Sequence, residues 1–581
     1  MPRFATTETI PDHLQPFIAK QYPELYTPID HASWRFILRV SRQFFSGNAH
    51  QKYLDGLKET GISTEKIPSV EDMDQCLRRF GWRAVAVSGF IPPAAFMEFQ
   101  SLGILPIACE MRTLDHLAYT PAPDIVHEAA GHAPIIADQE FADYLRSYGE
   151  VSRKAIFSKG DMAIYEAIRD LSNIKESPTS TAEEIQVCQR RLDEAITAST
   201  YVSEATYLAR MNWWTVEYGL VGTLHHPKIY GAGLLSSMGE SYRCLTDQVL
   251  KIPLTLDCLN TSYDITRPQP QLFVTRDFGV LTQILEEFGA TMAFKKGGVE
   301  ALAKGKISEA LTTTQLDSGL QISGVLADFI CDAEGLPCFL KYLGPCQLAH
   351  QDRELPQQGP AHHLQGFSSP IGKLAGLGKS PSGLTDDEQN HLGLVPGRRA
   401  KLQYQSGFEV EGKFTGKTIQ NGKVVILTFE DCTMIRGKNV FYRPEWGTFD
   451  LACGALVASV YGGAADRGQY LTGTGGFQQT PRAPKTNLTD ANRALNGLYA
   501  QTRKLRETGT TATVASELEQ IHAVLEQKHP DDWLLRVELL EIAQRLGIQG
   551  DWDPAIRGRL KQIAATATDK ADMIERGLAL L

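Results

Sequence analysis

Two histidines five positions apart lie in the segment PDIVHEAAGH, residues 123–132. Glu128 directly follows His127, and Gly131 directly precedes His132. Zinc proteases of the HExxH class place their histidines four positions apart on one helical face, with a glutamate base after the first. Five residues advance a regular helix by about 500°, which would leave the two imidazoles roughly 140° apart. Both histidines can bind one metal ion only where the helix ends or bulges, and Gly131 is the natural place for that.

A third ligand candidate lies in the apolar and aromatic segment MNWWTVEYGLVG, which contains Glu217. A carboxylate in such surroundings is costly unless it is paired or bound to a metal. Two neutral imidazoles and one carboxylate, with open positions for O2 and a cosubstrate, form the facial triad of non-haem Fe(II) oxygenases. Two alternatives stay open at this point. One is a zinc hydrolase built on the same histidines, and the other is a coincidental pair in which one histidine caps a helix and the other is buried in a core.

The elements that must position these residues lie in a first zone, about residues 22–298, which reads as mostly helical. In the segment IDHASWRFILRVSRQFF, apolar residues recur at Trp34, Ile37, Leu38 and Phe45, which is roughly a helical period. A more polar stretch at about 174–200 is expected to form a surface helix inserted into this zone, beginning at a cap provided by Ser180 or Thr181.

The remainder of the chain has a different character. Alternating strand patterns and glycines predict a small antiparallel β domain, with a hairpin turn at Asn421–Gly422. His362 and His363 are expected to lie in a solvated loop there, and the last zone is helical again. The predicted fold class is multidomain, with a mainly α catalytic domain, a small β-rich domain and a C-terminal helical region. The predicted divisions are an N-terminal arm (1–21), a catalytic domain (22–299), a β-rich region of unknown function (300–483) and a helical region (484–581).

Composition limits the classes of partner. The 581 residues are 43% hydrophobic and 22% charged, which is typical of a globular protein, and the formal net charge of −10 argues against nucleic acid or an anionic membrane as a partner. The N-terminus lacks the basic and apolar regions of a signal peptide. The ten cysteines are therefore expected to be free thiols, and the expected location is the cytoplasm.

Three segments, in this order, resemble signature segments of the pterin-dependent aromatic amino acid hydroxylases. They are YTPAPDIVHEAAGHAPIIADQEFADY, WWTVEYGL and YGAGLLSSMGE. The similarity extends over roughly half of the chain and is greatest to the phenylalanine-hydroxylating branch of the family. It implies an enzyme that uses Fe(II), a tetrahydropterin such as tetrahydrobiopterin, and O2 as cosubstrate to hydroxylate the ring of L-phenylalanine to L-tyrosine. Tryptophan hydroxylation in the same family is the alternative.

The resemblance also assigns site residues. It implies that iron binds to His127, His132 and Glu217. It implies a pterin site formed by Gly89, Ile91, Phe96 and Glu128, in which Phe96 stacks on the pterin ring. It implies a substrate site formed by Arg112, Thr120, Pro123, Asp124, Trp213, Ser236 and Val274. In that site Arg112 holds the carboxylate of the amino acid, and Asp124 braces Arg112. The chemistry is centred on iron, and no separate acid or base is implied.

Two positions bear on the choice of substrate. The resemblance places Val274 where the tyrosine hydroxylases of the family carry an acidic residue, and an aliphatic side chain there disfavours tyrosine as the substrate. Trp213 is the residue type of the phenylalanine branch. Residues 300–581 resemble no known family, so the sequence does not indicate their role. It does not indicate protein partners or the oligomeric state either.

Overall fold

The computed structural model describes residues 9–118, 122–176, 180–265, 267–474, 489–508 and 511–581. The helices before residue 310 are α1 (Pro28–Asn48), α2 (Tyr53–Glu59), α3 (Val70–Leu77), α4 (Pro93–Ser101), α5 (Gln139–Ser152), α6 (Lys159–Glu176), α7 (Ala182–Ala198), α8 (Glu204–Asn212), α9 (Ala232–Ser236), α10 (Met238–Arg243), α11 (Phe278–Gly289), α12 (Ala293–Lys296) and α13 (Gly298–Ser308). Two π-helices, Val126–His132 and Trp213–Glu217, lie among them.

Helix α1 is the central element of this part. It begins at a capping box in which the Thr27 hydroxyl accepts the Asp30 N–H and the Asp30 carboxylate accepts the Thr27 N–H, and Pro28 occupies the first turn, where its missing N–H costs nothing. The apolar residues that predicted the helix are buried, with Trp34 fully enclosed. They pack in one large cluster that also contains residues of both π-helices.

Two small sheets lie in this part. The parallel pair β1 (Arg83–Val87) and β2 (Ile104–Ala108) leads at its carboxyl ends into the segments 88–91 and 109–112. The second sheet contains β3 (Leu220–Gly222), β4 (Pro227–Ile229), β5 (Leu250–Pro253) and β6 (Gln271–Thr275) in the order β4-β3-β6-β5. Strand β3 begins three residues after the second π-helix ends, so this sheet lies directly beyond Glu217 in the chain.

The polar stretch forms helix α7, which packs against α6 as a helical hairpin. Thr181, one of the two residues predicted as the cap, is the cap of α7 and forms a capping box with Glu184. The hairpin has a small apolar cluster of its own, which contains Ala167, Leu171 and Leu192. It is therefore an appended unit and not part of the large cluster around α1.

Strands dominate between residues 311 and 462. They are β7 (Leu311–Leu316), β8 (Leu320–Cys331), β9 (Pro337–His350), β10 (Arg353–Glu354), β11 (Gly366–Pro370), β12 (Arg399–Gln403), β13 (Phe408–Gln420), β14 (Lys423–Arg436), β15 (Asn439–Tyr442), β16 (Phe449–Ala452) and β17 (Val457–Gly462), with α14 (Asp386–His391) and α15 (Arg467–Gly473) beside them. They form two sheets, β10-β9-β8-β7-β17 with β11 on β9, and β12-β13-β14-β15 with β16 on β14. The hairpin predicted at Asn421–Gly422 is confirmed, since both residues have positive φ, 48° and 77°, between paired strands β13 and β14.

The C-terminal helices are α16 (Asp490–Thr508), α17 (Thr511–Lys528), α18 (Leu534–Leu546), α19 (Trp552–Thr566) and α20 (Thr568–Ala579). Through α16, α18 and α20 they pack on α1. The Phe36 ring lies edge-on to Trp533 at 5.0 Å, and Arg35 forms ion pairs with Glu538 and Glu541. Sequence alone does not indicate this return of the chain end to the first helix.

Within the described ranges, no helix combines the length and the apolar character that crossing a membrane requires.

Candidate active site

The first π-helix brings the two histidines to one face. Its hydrogen bonds join residues five apart, so side chains at positions i and i+5 lie one above the other. The Nε2 atoms of His127 and His132 are 3.1 Å apart. The predicted bulge between the histidines is confirmed, and Gly131 serves it by allowing a close approach. A Cβ at Gly131 would lie 2.7 Å from the carbonyl oxygen of Ala232 on α9.

Glu217 completes the group from the end of the second π-helix. Its carboxylate oxygens lie 3.4 Å from His127 Nε2 and 3.3 Å from His132 Nε2. Metal–ligand bonds of about 2.1 Å separate neighbouring donor atoms by about 3.0–3.4 Å. Glu128 is more distant, with its Oε2 atom 3.9 Å from His132 Nε2. The three donor atoms of His127, His132 and Glu217 therefore surround the space of one ion.

Ser236 sets the tautomer of His127. The Ser236 hydroxyl donates its one hydrogen to the Ala232 carbonyl at 2.8 Å, so at its 3.0 Å contact with His127 Nδ1 it acts as the acceptor. Nδ1 of His127 consequently carries the hydrogen, and the lone pair is on Nε2, facing Glu217. This is the arrangement in which an outer hydrogen bond orients a metal-binding imidazole.

The charges in the group suit a cation. Burial opposes ionisation of Glu217, but the imidazoles of His132 and His127 outweigh it and lower the pKa of Glu217 to about 2. Burial lowers the pKa of His127 to about 4. Burial also lowers the pKa of His132, but the negative charge of Glu217 outweighs that and raises it to about 9. At neutral pH the metal-free group is thus an ionised carboxylate, a neutral His127 and a protonated His132, whose proton a metal ion would replace.

Glu128 is a buried acid beside this group. Burial raises its pKa to about 8, and its Oε2 atom has no hydrogen-bond partner within the described chain. Its backbone N–H is bonded to the Asp124 carbonyl in the first turn of the π-helix. A buried carboxyl group in this state can donate or accept a hydrogen bond with a bound molecule.

Arg112 and Asp124 form a buried ion pair, with side chains 1% and 3% exposed. Asp124 accepts Nε–H and Nη2–H of Arg112 at 2.8 Å each, and the Ser236 carbonyl accepts Nη1–H at 2.9 Å. A guanidinium has five N–H donors, so these bonds leave one on each Nη atom, the fork that fits a carboxylate. Asp124 also accepts the His127 N–H at 3.0 Å and so ties the two parts of the site together.

The loop after β1 is held by an acidic residue that sequence reasoning missed. Glu110 Oε1 accepts the hydroxyl of Ser88 at 2.9 Å and the N–H of Gly89 at 3.0 Å. Gly89 has φ of 60°, a conformation that favours glycine. The other carboxylate oxygen of Glu110 is buried and has no hydrogen-bond partner among the described residues. The Glu110 carbonyl accepts the N–H of Ile125, next to the first π-helix.

Ile91 and Phe96 lie on the far side of that loop. Ile91 is buried and Phe96, on α4, is half-buried. Both pack with Leu14 and Phe17 of the N-terminal segment in one apolar cluster. The roles that the resemblance implies for Gly89, Ile91 and Phe96 at a pterin stay predictions.

Trp213 lies in an aromatic stack at the start of the second π-helix. Its ring is 4.6 Å from that of Tyr218 and 4.3 Å from that of Tyr263, with interplanar angles of 26° and 9°. Tyr218 directly follows Glu217, so the segment that contains Glu217 could have indicated it as a neighbour of Trp213. Tyr263 lies far from Trp213 in the sequence, and only the fold brings the two rings together. Trp213 lies four residues before Glu217 in the second π-helix.

The remaining predicted substrate residues occupy different positions. Val274 is buried in β6, where it pairs with Leu220 of β3. Pro123 is half-buried and directly precedes Asp124. Thr120 lies outside the described residues.

Comparison with known proteins agrees with these features. Residues 18–158 and 195–299 match the family described as biopterin-dependent aromatic amino acid hydroxylase. The phenylalanine-4-hydroxylase of Pseudomonas aeruginosa is 30% identical over 264 residues, which are 45% of this chain and 84% of the relative. The chain belongs to this hydroxylase family. A second relative of this hydroxylase, the phenylalanine-4-hydroxylase of Ralstonia nicotianae, is 29% identical over 297 residues, covering 49% of the chain and 80% of the relative.

Among solved structures, the phenylalanine hydroxylase of Chromobacterium violaceum with bound iron(III) and 7,8-dihydrobiopterin is 26% identical, with a TM-score of 0.38 over 49% of this chain and 91% of that one. All the site residues predicted for this hydroxylase lie within the two matched segments. The unmatched residues 159–194 contain α6 and most of α7. The match also ends at residue 299, before the β-rich part and the C-terminal helices.

Proposed function

We propose that this chain hydroxylates L-phenylalanine to L-tyrosine with Fe(II), a tetrahydropterin and O2. The observation that carries the proposal is the convergence of His127, His132 and Glu217 on one space, with donor atoms 3.1–3.4 Å apart. Membership of the hydroxylase family and the names of the relatives support the same reaction. A zincin-like hydrolase is disfavoured, because the π-helix makes the five-residue spacing of the histidines the productive one.

The donor set fits ferrous iron. Two imidazole nitrogens and one carboxylate are the ligands of facial-triad iron sites. One carboxylate oxygen on Glu110 and one on Glu128 are buried without a hydrogen-bond partner in the described ranges, and they fit the N–H and amino donors of a pterin ring. When bound, iron and the tetrahydropterin together supply the electrons that activate O2 for insertion into the aromatic ring.

The chain itself binds, orients and excludes water. The N–H fork of Arg112 would hold the substrate carboxylate, and Asp124 keeps the fork from rotating. Ser236 keeps the His127 hydrogen on Nδ1, so that Nε2 stays a ligand. The flat surface of Trp213 suits an aromatic side chain.

Selection among aromatic amino acids is assigned to the pocket walls. Val274 offers an aliphatic surface in β6 and no charged group for a phenol hydroxyl. Trp213, which stacks with Tyr218 and Tyr263, limits the space for a larger indole. Phenylalanine is therefore the proposed substrate, and discrimination of a few kcal/mol is the scale that such apolar contacts reach.

The proposal includes the organisation of the chain, with a catalytic domain at 22–299, a β-rich region at 300–483 and a helical region at 484–581. It also places the enzyme in the cytoplasm, and the ten cysteines, all of them free thiols, support a reducing compartment.

Product identification tests the proposal. The metal-free chain is loaded with Fe(II) without oxygen and then supplied with tetrahydrobiopterin, air and phenylalanine, tyrosine or tryptophan in parallel. The expected product is tyrosine, formed only from phenylalanine and only with the pterin. Glu217→Ala should form none. A pterin-independent hydrolytic activity, or hydroxylation of tryptophan in preference to phenylalanine, would overturn the proposal.

A further inference from the structure

Two consecutive histidines and an aspartate meet in the β-rich part, far along the chain from the active site. His362 Nε2 is 3.0 Å from Asp450 Oδ2, and His363 Nε2 is 3.9 Å from the same oxygen. The ligand atoms of the three residues all lie within 4.8 Å of one another. The expectation that both histidines lie in a solvated loop is therefore wrong for His363, which is buried.

Rigid elements hold these side chains in place. Asp450 lies on β16 and pairs with Thr428 of β14, whose hydroxyl donates to Asp450 Oδ1 at 2.7 Å. The N–H groups of both histidines are bonded to the Gly359 carbonyl in a tight turn, and His363 bridges to Cys346 on β9. The cluster thus joins a turn to both sheets.

The carboxylate of Asp450 lacks a counter-charge from the protein. Its side chain is 2% exposed, and its neighbours are the hydroxyl of Thr428, the amide of Gln358 and the two imidazoles. Across the described chain, no lysine or arginine forms an ion pair with it. A buried carboxylate is costly without a cation, and two imidazoles beside it are the usual partners of a metal ion.

We propose that His362, His363 and Asp450 bind a divalent transition-metal ion of the zinc class. In the metal-free protein His363 Nε2–H donates to Gln358 Oε1 at 2.6 Å, and an ion bound at Nε2 would replace that hydrogen. The three side chains supply two imidazole nitrogens and one carboxylate oxygen, and a water molecule would complete a tetrahedral sphere. The His362 side chain is 42% exposed, and this open side is the route by which the ion enters.

The ion would join the turn at 358–363 to strand β16. Small shifts suffice, because the separations of 3.0 and 3.9 Å bracket the spacing of about 3.4 Å expected around a tetrahedral zinc ion. The site is independent of the iron triad, and it is expected to stabilise the β-rich part without taking part in hydroxylation.

Metal stoichiometry of the full chain tests the proposal. The protein is stripped with a chelator, equilibrated with Zn²⁺ alone, freed of unbound ion and analysed for metal. Zinc should fill both sites in the unaltered chain, giving two equivalents. We expect one equivalent in His363→Ala, one in Glu217→Ala and none in the double variant. His391→Ala, which removes an exposed histidine of the same region, is the matched control and should keep both.

A second readout separates a site from a folding defect. In the Glu217→Ala background, Zn²⁺ should raise the melting temperature, and Co²⁺ should give the intense visible absorption of a tetrahedral ion. Both effects should vanish when His362→Ala is added. His362 has the most exposed side chain of the three proposed ligands, so the fold should tolerate its loss best. One equivalent in the unaltered chain, unchanged in His363→Ala, would show that the cluster is a hydrogen-bond network only. This outcome is independent of whether the chain forms tyrosine.

Discussion

Removal of the Ser236 hydroxyl should weaken iron binding without touching a metal ligand. In Ser236→Ala, the His127 Nδ1–H loses the acceptor that lies 3.0 Å away. The imidazole is then free to turn or to move its hydrogen to Nε2, which would remove the lone pair that faces the metal. The substitution therefore acts on the orientation and tautomer of His127 and not on the number of ligands.

The structure gives the scale of the effect. A buried donor that loses its partner costs about 1–2 kcal/mol, or roughly 5–30-fold in an equilibrium constant. Outer hydrogen bonds to metal-binding histidines are generally worth about 10–100-fold in affinity. The two ranges overlap at about 10–30-fold, which is the expected increase in the dissociation constant for Fe(II). Competition with a coloured chelator under anaerobic conditions measures it.

Ser308→Ala is the matched control. Ser308 is equally buried and donates to the Gly305 carbonyl at 2.7 Å in α13, outside the metal group. It should leave the dissociation constant within twofold of the unaltered chain. An unchanged constant in Ser236→Ala, in protein whose melting temperature shows it to be folded, would refute the role of Ser236.

Three further outcomes follow from the same geometry. Asp124→Asn removes the charge that orients the guanidinium of Arg112 but keeps an oxygen for the His127 N–H. KM for the amino acid should therefore rise at least about tenfold while the iron content stays the same, and an unchanged KM would contradict the role of Asp124. Because the pKa of His132 is raised to about 9, iron binding at neutral pH should release about one proton, and the release should fall as the pH passes 9. Calorimetry in buffers of different ionisation enthalpy counts the released protons, and a count of zero would contradict the protonated state of His132. Arg576 of α20 donates to the carbonyl of Met238, which lies two residues after Ser236. Arg576→Ala should therefore raise KM several-fold, and Arg576→Lys should recover part of the loss. Equal kinetics in the unaltered chain and both variants would show that α20 has no influence on the site.

Local signals in the sequence predicted the features that depend on neighbouring residues. The five-residue spacing of His127 and His132 required a widened turn, and the structure forms a π-helix there. Thr181 caps α7 because its hydroxyl and Glu184 satisfy each other's backbone donors over three residues. Asn421–Gly422 forms a hairpin because both residues tolerate positive φ. In each case the physical cause lies within a few positions.

Long-range contacts were beyond such signals. The Ser236 hydroxyl meets His127, Tyr263 stacks on Trp213, and Asp450 meets His363 only because the chain folds back over many residues. The same holds for the ion pairs between α1 and α18 that seat the C-terminal helices on the catalytic part. A single sequence carries no pattern that specifies which distant side chains meet.

The most direct test of the central claim follows the oxygen atom. The iron-loaded chain is supplied with phenylalanine, tetrahydrobiopterin and isotope-labelled O2, and the tyrosine formed is analysed by mass spectrometry. If His127, His132 and Glu217 hold an iron that activates O2, the new hydroxyl group carries the label, and Glu217→Ala yields no tyrosine. Unlabelled tyrosine, or tyrosine formed equally well by Glu217→Ala, would contradict the account.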